Sequence, residues 1–301
     1  MHNPLLTDLL GVKLKNPVIA ASGTFGFGKE YASVFDVSRL GGISGKGLTL
    51  NGSCGNSGRR IYETPSGMLN SIGLENPGVA RFVEEECHIM RATGCAVICN
   101  LGGHCKEDYL QGASLLNQAD MDILELNISC PNVKAGGMAF GMQGETAAEI
   151  TAAVKAITRW PLLVKLSPNA PDLVGVARAC EAAGADGISL VNTFLGMAID
   201  TAARKPVFGN VYAGLSGPGI FPIALRMVHQ VAHSVSIPVV GMGGICDTQS
   251  ALSMLMAGAS AVQVGAATFA HPQTMLEIIQ GLEEYCRREN LSNIHEIRGC
   301  V

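Results

Sequence analysis

Two lysines sit inside stretches that otherwise read as buried strand, in Ser44-Gly45-Lys46-Gly47-Leu48 and Leu163-Val164-Lys165-Leu166-Ser167. Burying an ammonium group without a partner is costly, so each predicts a bound anion or an acidic neighbour. A structural ion pair is the plainer alternative. Glycines follow two further apolar runs, in Gly241-Met242-Gly243-Gly244 and Gly265-Ala266-Ala267. Glycine at such a place lets backbone N–H groups close on phosphate oxygens, although it is also an ordinary turn residue. The sharpest segment is Asn127-Ile128-Ser129-Cys130-Pro131-Asn132. Glu125, Asn127 and Ser129 alternate along one strand face, the strand ends in a cysteine, and Pro131 stops the pattern before a stretch holding Gly136, Gly137, Gly141 and Gly144. Most cysteines are inert buried thiols. A thiol at a strand end, followed by a glycine-rich potential lid, is placed to act as base or nucleophile.

Other chemistries are excluded by spacing. No GxGxxG fingerprint occurs, because Gly26-Phe27-Gly28 runs into Lys29, Glu30 and Tyr31, and Gly241-Met242-Gly243 into Gly244, Ile245 and Cys246. Rossmann-type NAD binding is not expected. No CxxC pair exists, and Cys95, Cys99 and Cys105 with His104 lack a zinc or iron-sulfur spacing, so no metal site is expected.

The elements that must position these residues are legible as repeated joints. Helical patterns end at Gly94, Gly184 and Gly258, and an apolar strand follows each. Leu173, Val176, Ala177 and Cys180 line one helix face after a cap candidate at Asp172; Leu252, Leu255, Met256 and Ala259 do so after Asp247 or Thr248. Eight strands are expected: Pro17–Ser22, Gly42–Leu48, Ala96–Leu101, Ile123–Ser129, Leu162–Ser167, Gly187–Asn192, Pro238–Gly243 and Ala261–Ala267. Parallel neighbours need crossover helices, so the alternation predicts an α/β fold, a (β/α)8 TIM barrel in one domain over residues 1–301, against the alternative of an open doubly wound sheet. Two connections, Thr49 to Gly78 and Thr193 to Gly219, are too long for simple crossovers and read as irregular loops covering a site at the carboxyl face.

Composition narrows the partners. The chain has 301 residues, 48% hydrophobic and 15% charged, with 21 basic against 25 acidic residues and a formal charge of −4. That balance excludes disorder and gives no general attraction to nucleic acid or anionic membranes. Asp8, Lys13 and Lys15 interrupt the apolar start, so no leader is expected, and no run approaches the roughly 18 residues of a membrane span. Cys95, Cys99 and Cys180 lie in apolar runs, which favours reduced thiols and the cytoplasm.

These residues resemble the class 1 dihydroorotate dehydrogenases, flavin enzymes of pyrimidine synthesis. The likeness runs from Asn16-Pro17-Val18-Ile19-Ala20-Ala21-Ser22-Gly23 to Val264-Gly265-Ala266. It is most specific in Leu69-Asn70-Ser71-Ile72-Gly73-Leu74-Glu75-Asn76-Pro77-Gly78 and in Asn127-Ile128-Ser129-Cys130-Pro131-Asn132-Val133-Lys134, with Gly136-Gly137-Met138-Ala139-Phe140-Gly141 behind. The last two groups look most like class 1B, the NAD-linked form whose catalytic chain works with a second subunit bearing FAD and an iron-sulfur cluster.

The resemblance implies FMN contacts at Ser22, Lys46, Gly47, Asn100, Asn127, Lys165, Val191, Gly217, Gly243, Gly244, Gly265 and Ala266. It implies substrate contacts at Lys46, Asn70, Ser71, Ile72, Gly73, Leu74, Asn127, Asn192 and Thr193, and makes Cys130 the catalytic base. Ala266 stands where threonine is expected in many relatives, so a hydroxyl contact to phosphate is missing there. A homodimer joined to the iron-sulfur flavoprotein subunit is implied as well. Oxidising dihydroorotate removes a proton from C5 and a hydride from C6, so a base and a hydride acceptor must face opposite sides of the ring. Asn70, Asn127, Asn132 and Asn192 offer paired donors and acceptors suited to a cyclic diamide. The alternatives are a dihydropyrimidine-type flavin dehydrogenase, which shares an Asn-x-Ser-Cys-Pro segment, and a non-redox phosphate-binding barrel in which Lys165 forms a Schiff base.

Overall fold

A computed structural model describes residues 3–129 and 140–301; Cys130, Asn132, Gly136 and Gly137 lie outside the described residues. Eight parallel strands close into a barrel in chain order: β1 (Val18–Ala20), β2 (Gly42–Ser44), β3 (Ala96–Leu101), β4 (Ile123–Asn127), β5 (Leu162–Lys165), β6 (Gly187–Leu190), β7 (Val239–Met242) and β8 (Ala261–Val264). The fold is the (β/α)8 barrel, not the open sheet. Most strands stop short of the expected carboxyl ends, so polar residues such as Ser129 and Asn192 occupy the tips beyond the last ladder pairs.

Alternation along the strands stacks the interior in layers. Ile19, Ile98, Ile123, Leu163, Val240 and Ala261 turn inward and form an apolar plug with Leu9 and Leu14. Those two leucines come from an antiparallel hairpin, Thr7–Leu9 with Val12–Leu14, that precedes the first expected strand and was not among the expected elements. Each fully buried leucine contributes about 1.5–3 kcal/mol relative to exposure. Two residues further along the strands the interior becomes polar: Ser44, Asn100, Glu125, Lys165, Ser189 and Gln263 are each at most 5% exposed.

Helices wrap the outside. Leu173–Ala182 starts at Asp172, whose carboxylate accepts from the Gly175 N–H, and it buries the four expected residues. Thr248–Met256 starts at a capping box between Asp247 and Ser250. Its inner stripe includes Ala251 and Met254 beside Leu252 and Leu255, and Met256 in the last turn is only half-buried, contrary to the expected face. Gly94, Gly184 and Gly258 leave their helices at positive φ. Between β1 and β2 the only helical piece among the described residues is the three-residue turn Val37–Arg39, and Phe25, stacked on Tyr31 at 4.2 Å, fills that side of the core. No helix among the described residues is long and apolar enough to cross a membrane.

The two long connections are not the irregular loops expected. They supply Ile61–Thr64, Gly67–Asn70, Tyr212–Ser216 and Phe194–Met197, which pair as one four-stranded antiparallel sheet. Leu69, Ala213 and Phe208 form a small buried core beneath it. These strands are short and glycine-containing, and each finds a partner only through long-range pairing, so local patterning carries no mark of them.

Candidate active site

The carboxyl ends of the barrel strands and the antiparallel sheet enclose a cavity of about 530 Å³, within the range of roughly 300–1,000 Å³ usual for small-molecule sites. Every residue assigned from the sequence to cofactor or substrate lines this one cavity, apart from Cys130 and Asn132, which lie outside the described residues. Ser22, Lys46 and Gly47 arrive beyond β1 and β2, and Asn100, Asn127 and Lys165 rise from β3, β4 and β5. Val191 and Asn192 follow β6, the shelf Gly243-Gly244 follows β7, and Gly265-Ala266 follows β8. Asn70 to Leu74, Thr193 and Gly217 come from the segments that build the antiparallel sheet.

That roof is braced by asparagines. Asn76 ties the start of its loop to the end, accepting from the Thr49 and Gly78 N–H groups and donating to Leu74 O at 2.6 Å. Asn56 donates to Ser71 O at 3.1 Å, and Asn70 donates to Gly214 O at 3.3 Å. Asn169, unremarked in the sequence, accepts from the Leu195 N–H and donates to Thr193 O, holding the segment from Thr193 to Leu195 in place.

The shelf depends on glycine. Gly243 and Gly244 have φ of +117° and +77°, and a Cβ on Gly244 would stand 2.8 Å from the backbone nitrogen of Phe221, the first residue of the helix Phe221–Ala232. The N–H groups of Gly243, Gly244 and Ala266 donate to no other group among the described residues. Free N–H groups gathered at one wall suit phosphate oxygens. At Ala266 such a contact is by backbone only, since no hydroxyl is present.

Neither Lys46 nor Lys165 makes an ion pair or hydrogen bond among the described residues. Burial pushes the Lys46 ammonium below its ordinary value, with Glu75 opposing and Arg60 adding to the shift. An anion settling against it relieves that cost. Lys165 has an acidic neighbour in Glu125, two residues before Asn127 and fully buried. All the acceptor capacity of Glu125 is already used. One oxygen accepts from Ser44 Oγ at 2.8 Å and Asn100 Nδ2 at 2.7 Å, the other from Ser189 Oγ at 2.8 Å and Gln263 Nε2 at 2.7 Å. Lys165 therefore keeps its three donors for the cavity.

Burial alone would raise the Glu125 pKa, but the Lys165 charge and the hydrogen bonds from Asn100, Ser44 and Gln263 outweigh it and hold the carboxyl below its usual range. A carboxyl depressed in the folded state contributes stability that is present above the unfolded pKa, about 4.3, and lost as pH falls through the folded value. Urea unfolding midpoints are accordingly expected to drop below about pH 4.3 in the natural protein. In Glu125→Leu, already less stable by about 3–5 kcal/mol because its donors are orphaned, that part of the acid slope is expected to vanish.

Sequence reasoning placed Glu125 on the right strand face but gave it no role, and it passed over Ser44, Ser189 and Gln263. The available signal was a polar side chain at, or within two residues of, the carboxyl end of a largely apolar strand, repeated on β2, β3, β4, β6 and β8.

A parallel barrel that brings cations and backbone donors, unpaired among the described residues, to one pocket at its carboxyl face is an enzyme of the TIM-barrel class, equipped for an anionic ligand. The sequence model of the dihydroorotate dehydrogenase family matches residues 4–286. Among its relatives is the dihydroorotate dehydrogenase B (NAD(+)), catalytic subunit, of Petrotoga mobilis, 50% identical over 294 residues that cover 98% of each chain. The proteins of that name from Brachyspira hyodysenteriae and Desulforamulus reducens are 51% identical over 296 residues and 52% identical over 287, covering 98% and 95% of this chain and 97% and 94% of theirs. The chain belongs to the dihydroorotate dehydrogenase family of oxidoreductases and resembles the class 1B, NAD-linked catalytic subunit.

Proposed function

We propose that this chain, acting as one catalytic domain, oxidises dihydroorotate to orotate in pyrimidine synthesis with FMN in the barrel cavity. The observation that supports it most is the gathering of the assigned residues around one pocket whose two lysines make no ion pair or hydrogen bond among the described residues. The residues fit the cofactor. The N–H groups of Gly243, Gly244 and Ala266 suit its phosphate, and Gln263 Oε1, buried with no hydrogen-bond partner among the described residues, suits a hydroxyl of its polyol chain. When bound, FMN supplies the acceptor for the hydride that leaves C6.

The protein's own groups do the rest. Cys130 takes the C5 proton, and the electron pair of that C–H bond becomes the C5=C6 double bond as the hydride departs. Lys46 meets the substrate carboxylate, while Asn70, Asn127 and Asn192 orient the ring amides by donor and acceptor pairs. Lys165 sets a positive charge on the floor that favours negative charge developing above it.

Purified protein reconstituted with FMN is expected to bleach at the flavin bands on anaerobic addition of dihydroorotate and not on addition of dihydrouracil. Protein that cannot be loaded with FMN refutes the cofactor, and equal response to both substrates refutes the substrate. The resemblance further supports a cytoplasmic homodimer joined to a subunit carrying FAD and an iron-sulfur cluster. The isolated chain is then expected to turn over with artificial acceptors and only poorly with NAD; brisk NAD reduction by the single chain contradicts the need for that subunit.

A further inference from the structure

Glu125 does not itself line the cavity, yet the donor and acceptor sense of the whole floor starts from it. An ionised carboxylate only accepts, so the amides of Asn100 and Gln263 must turn their NH2 edges toward it. An amide with one edge so fixed shows the opposite edge elsewhere. Asn100 Oδ1 therefore faces Asn127 Nδ2, at 3.3 Å, and Asn127 Oδ1 accepts from the Ser129 N–H at 3.2 Å and from its hydroxyl. Ser129 Oγ in turn accepts from Asn192 Nδ2, and Asn192 Oδ1 accepts from the Thr193 N–H at 2.8 Å. A second branch ends at Gln263, which is 1% exposed, lines the cavity and carries Oε1 with no partner among the described residues.

We propose that Glu125 is a positioning residue that sets the hydrogen-bond polarity of the cavity floor, and that the ligand group resting on Gln263 is consequently a hydrogen-bond donor, a hydroxyl of polyol type. This deepens the FMN reading and rests on it for the identity of that hydroxyl.

Glu125→Gln keeps the shape and exchanges two acceptor sites for an NH2 group. Whichever side the NH2 takes, the hydroxyl there, Ser44 or Ser189, can adapt because it also accepts, whereas the amide beside it, Asn100 or Gln263, can adapt only by turning over and reversing the edge it shows to the cavity. Fluorescence titration of flavin-stripped protein with FMN is expected to show affinity about tenfold weaker in Glu125→Gln, the worth of roughly one lost hydrogen bond. Ser189→Ala removes one donor from the same carboxylate without turning any amide, and is expected to stay within about twofold. Pairing Glu125→Gln with Gln263→Glu restores an acceptor edge to the cavity at unchanged net charge, and should recover most of the lost affinity. A Glu125→Gln protein that binds FMN like the natural one, or a double variant no tighter than the single, overturns the proposal.

Urea unfolding of the flavin-free set provides an independent arm. The pairing requires the double variant to be more stable than the two single changes added together. Additivity overturns the polarity role whatever FMN does, whereas failure of the natural protein to take FMN refutes the flavin reading alone.

Discussion

Cys130→Ala is expected to lower turnover with dihydroorotate by about 10²–10⁴-fold, the usual contribution of a positioned general base, while FMN remains bound in full. The cavity is assembled from residues at the ends of β1 to β8 and from the roof, so deleting one thiol leaves its glycine shelf and floor in place. The C5 proton has no other assigned acceptor. A free thiol titrates near pH 8.5, so the natural enzyme should gain rate through the mildly alkaline range as thiolate forms. Cys130→Ser, with a far weaker acid, should move that rise to higher pH. Rates from pH 6 to 10 with a saturating artificial acceptor would show both effects. Full activity in the alanine variant rejects the assigned base outright.

Lys165→Met is expected to slow bleaching of the flavin bands by dihydroorotate by about 10²–10³-fold, in line with removal of one preorganised electrostatic group from a water-poor site. Lys165 is only 5% exposed and its ammonium is not spent on Glu125, whose acceptor sites are filled by four neutral donors. Its charge is therefore available to the cavity. The same substitution takes away the charge that holds the Glu125 carboxyl down, so the variant should be less stable at neutral pH and should lose less of its stability on acidification through this group. Lys165→Arg keeps the charge in a different shape and should retain FMN, with a smaller loss of rate. A methionine variant within tenfold of the natural rate by stopped-flow absorbance would remove Lys165 from the chemistry.

Much of the barrel could be read locally. Glycine-terminated helices followed by β-branched runs recur with a period long enough for a crossover, and all eight strands lie where that rhythm places them. The lysines, the glycine pairs and the asparagines were visible because each is the wrong residue type for an apolar strand or its tip. The roof was not visible, because Gly67–Asn70 and Phe194–Met197 carry no alternation strong enough to mark a strand without its partner. Glu125 shows the complementary limit. Its place on the inner face of β4 follows from alternation, but its four donors come from β2, β3, β6 and β8, and closure of the barrel is what brings them together.

Asn70 and Gly214, bonded across the roof, are 144 positions apart in the chain. Joining ends so distant costs loop-closure entropy that only a finished barrel between them can offset. During synthesis every roof strand has emerged by residue 216, but β7, β8 and the glycine shelf follow it, so the roof pairs over the pocket only after those last two strands have closed the barrel. Ligand loading can precede the lid, and the roof amides should be the first around the pocket to exchange with solvent in the mature protein.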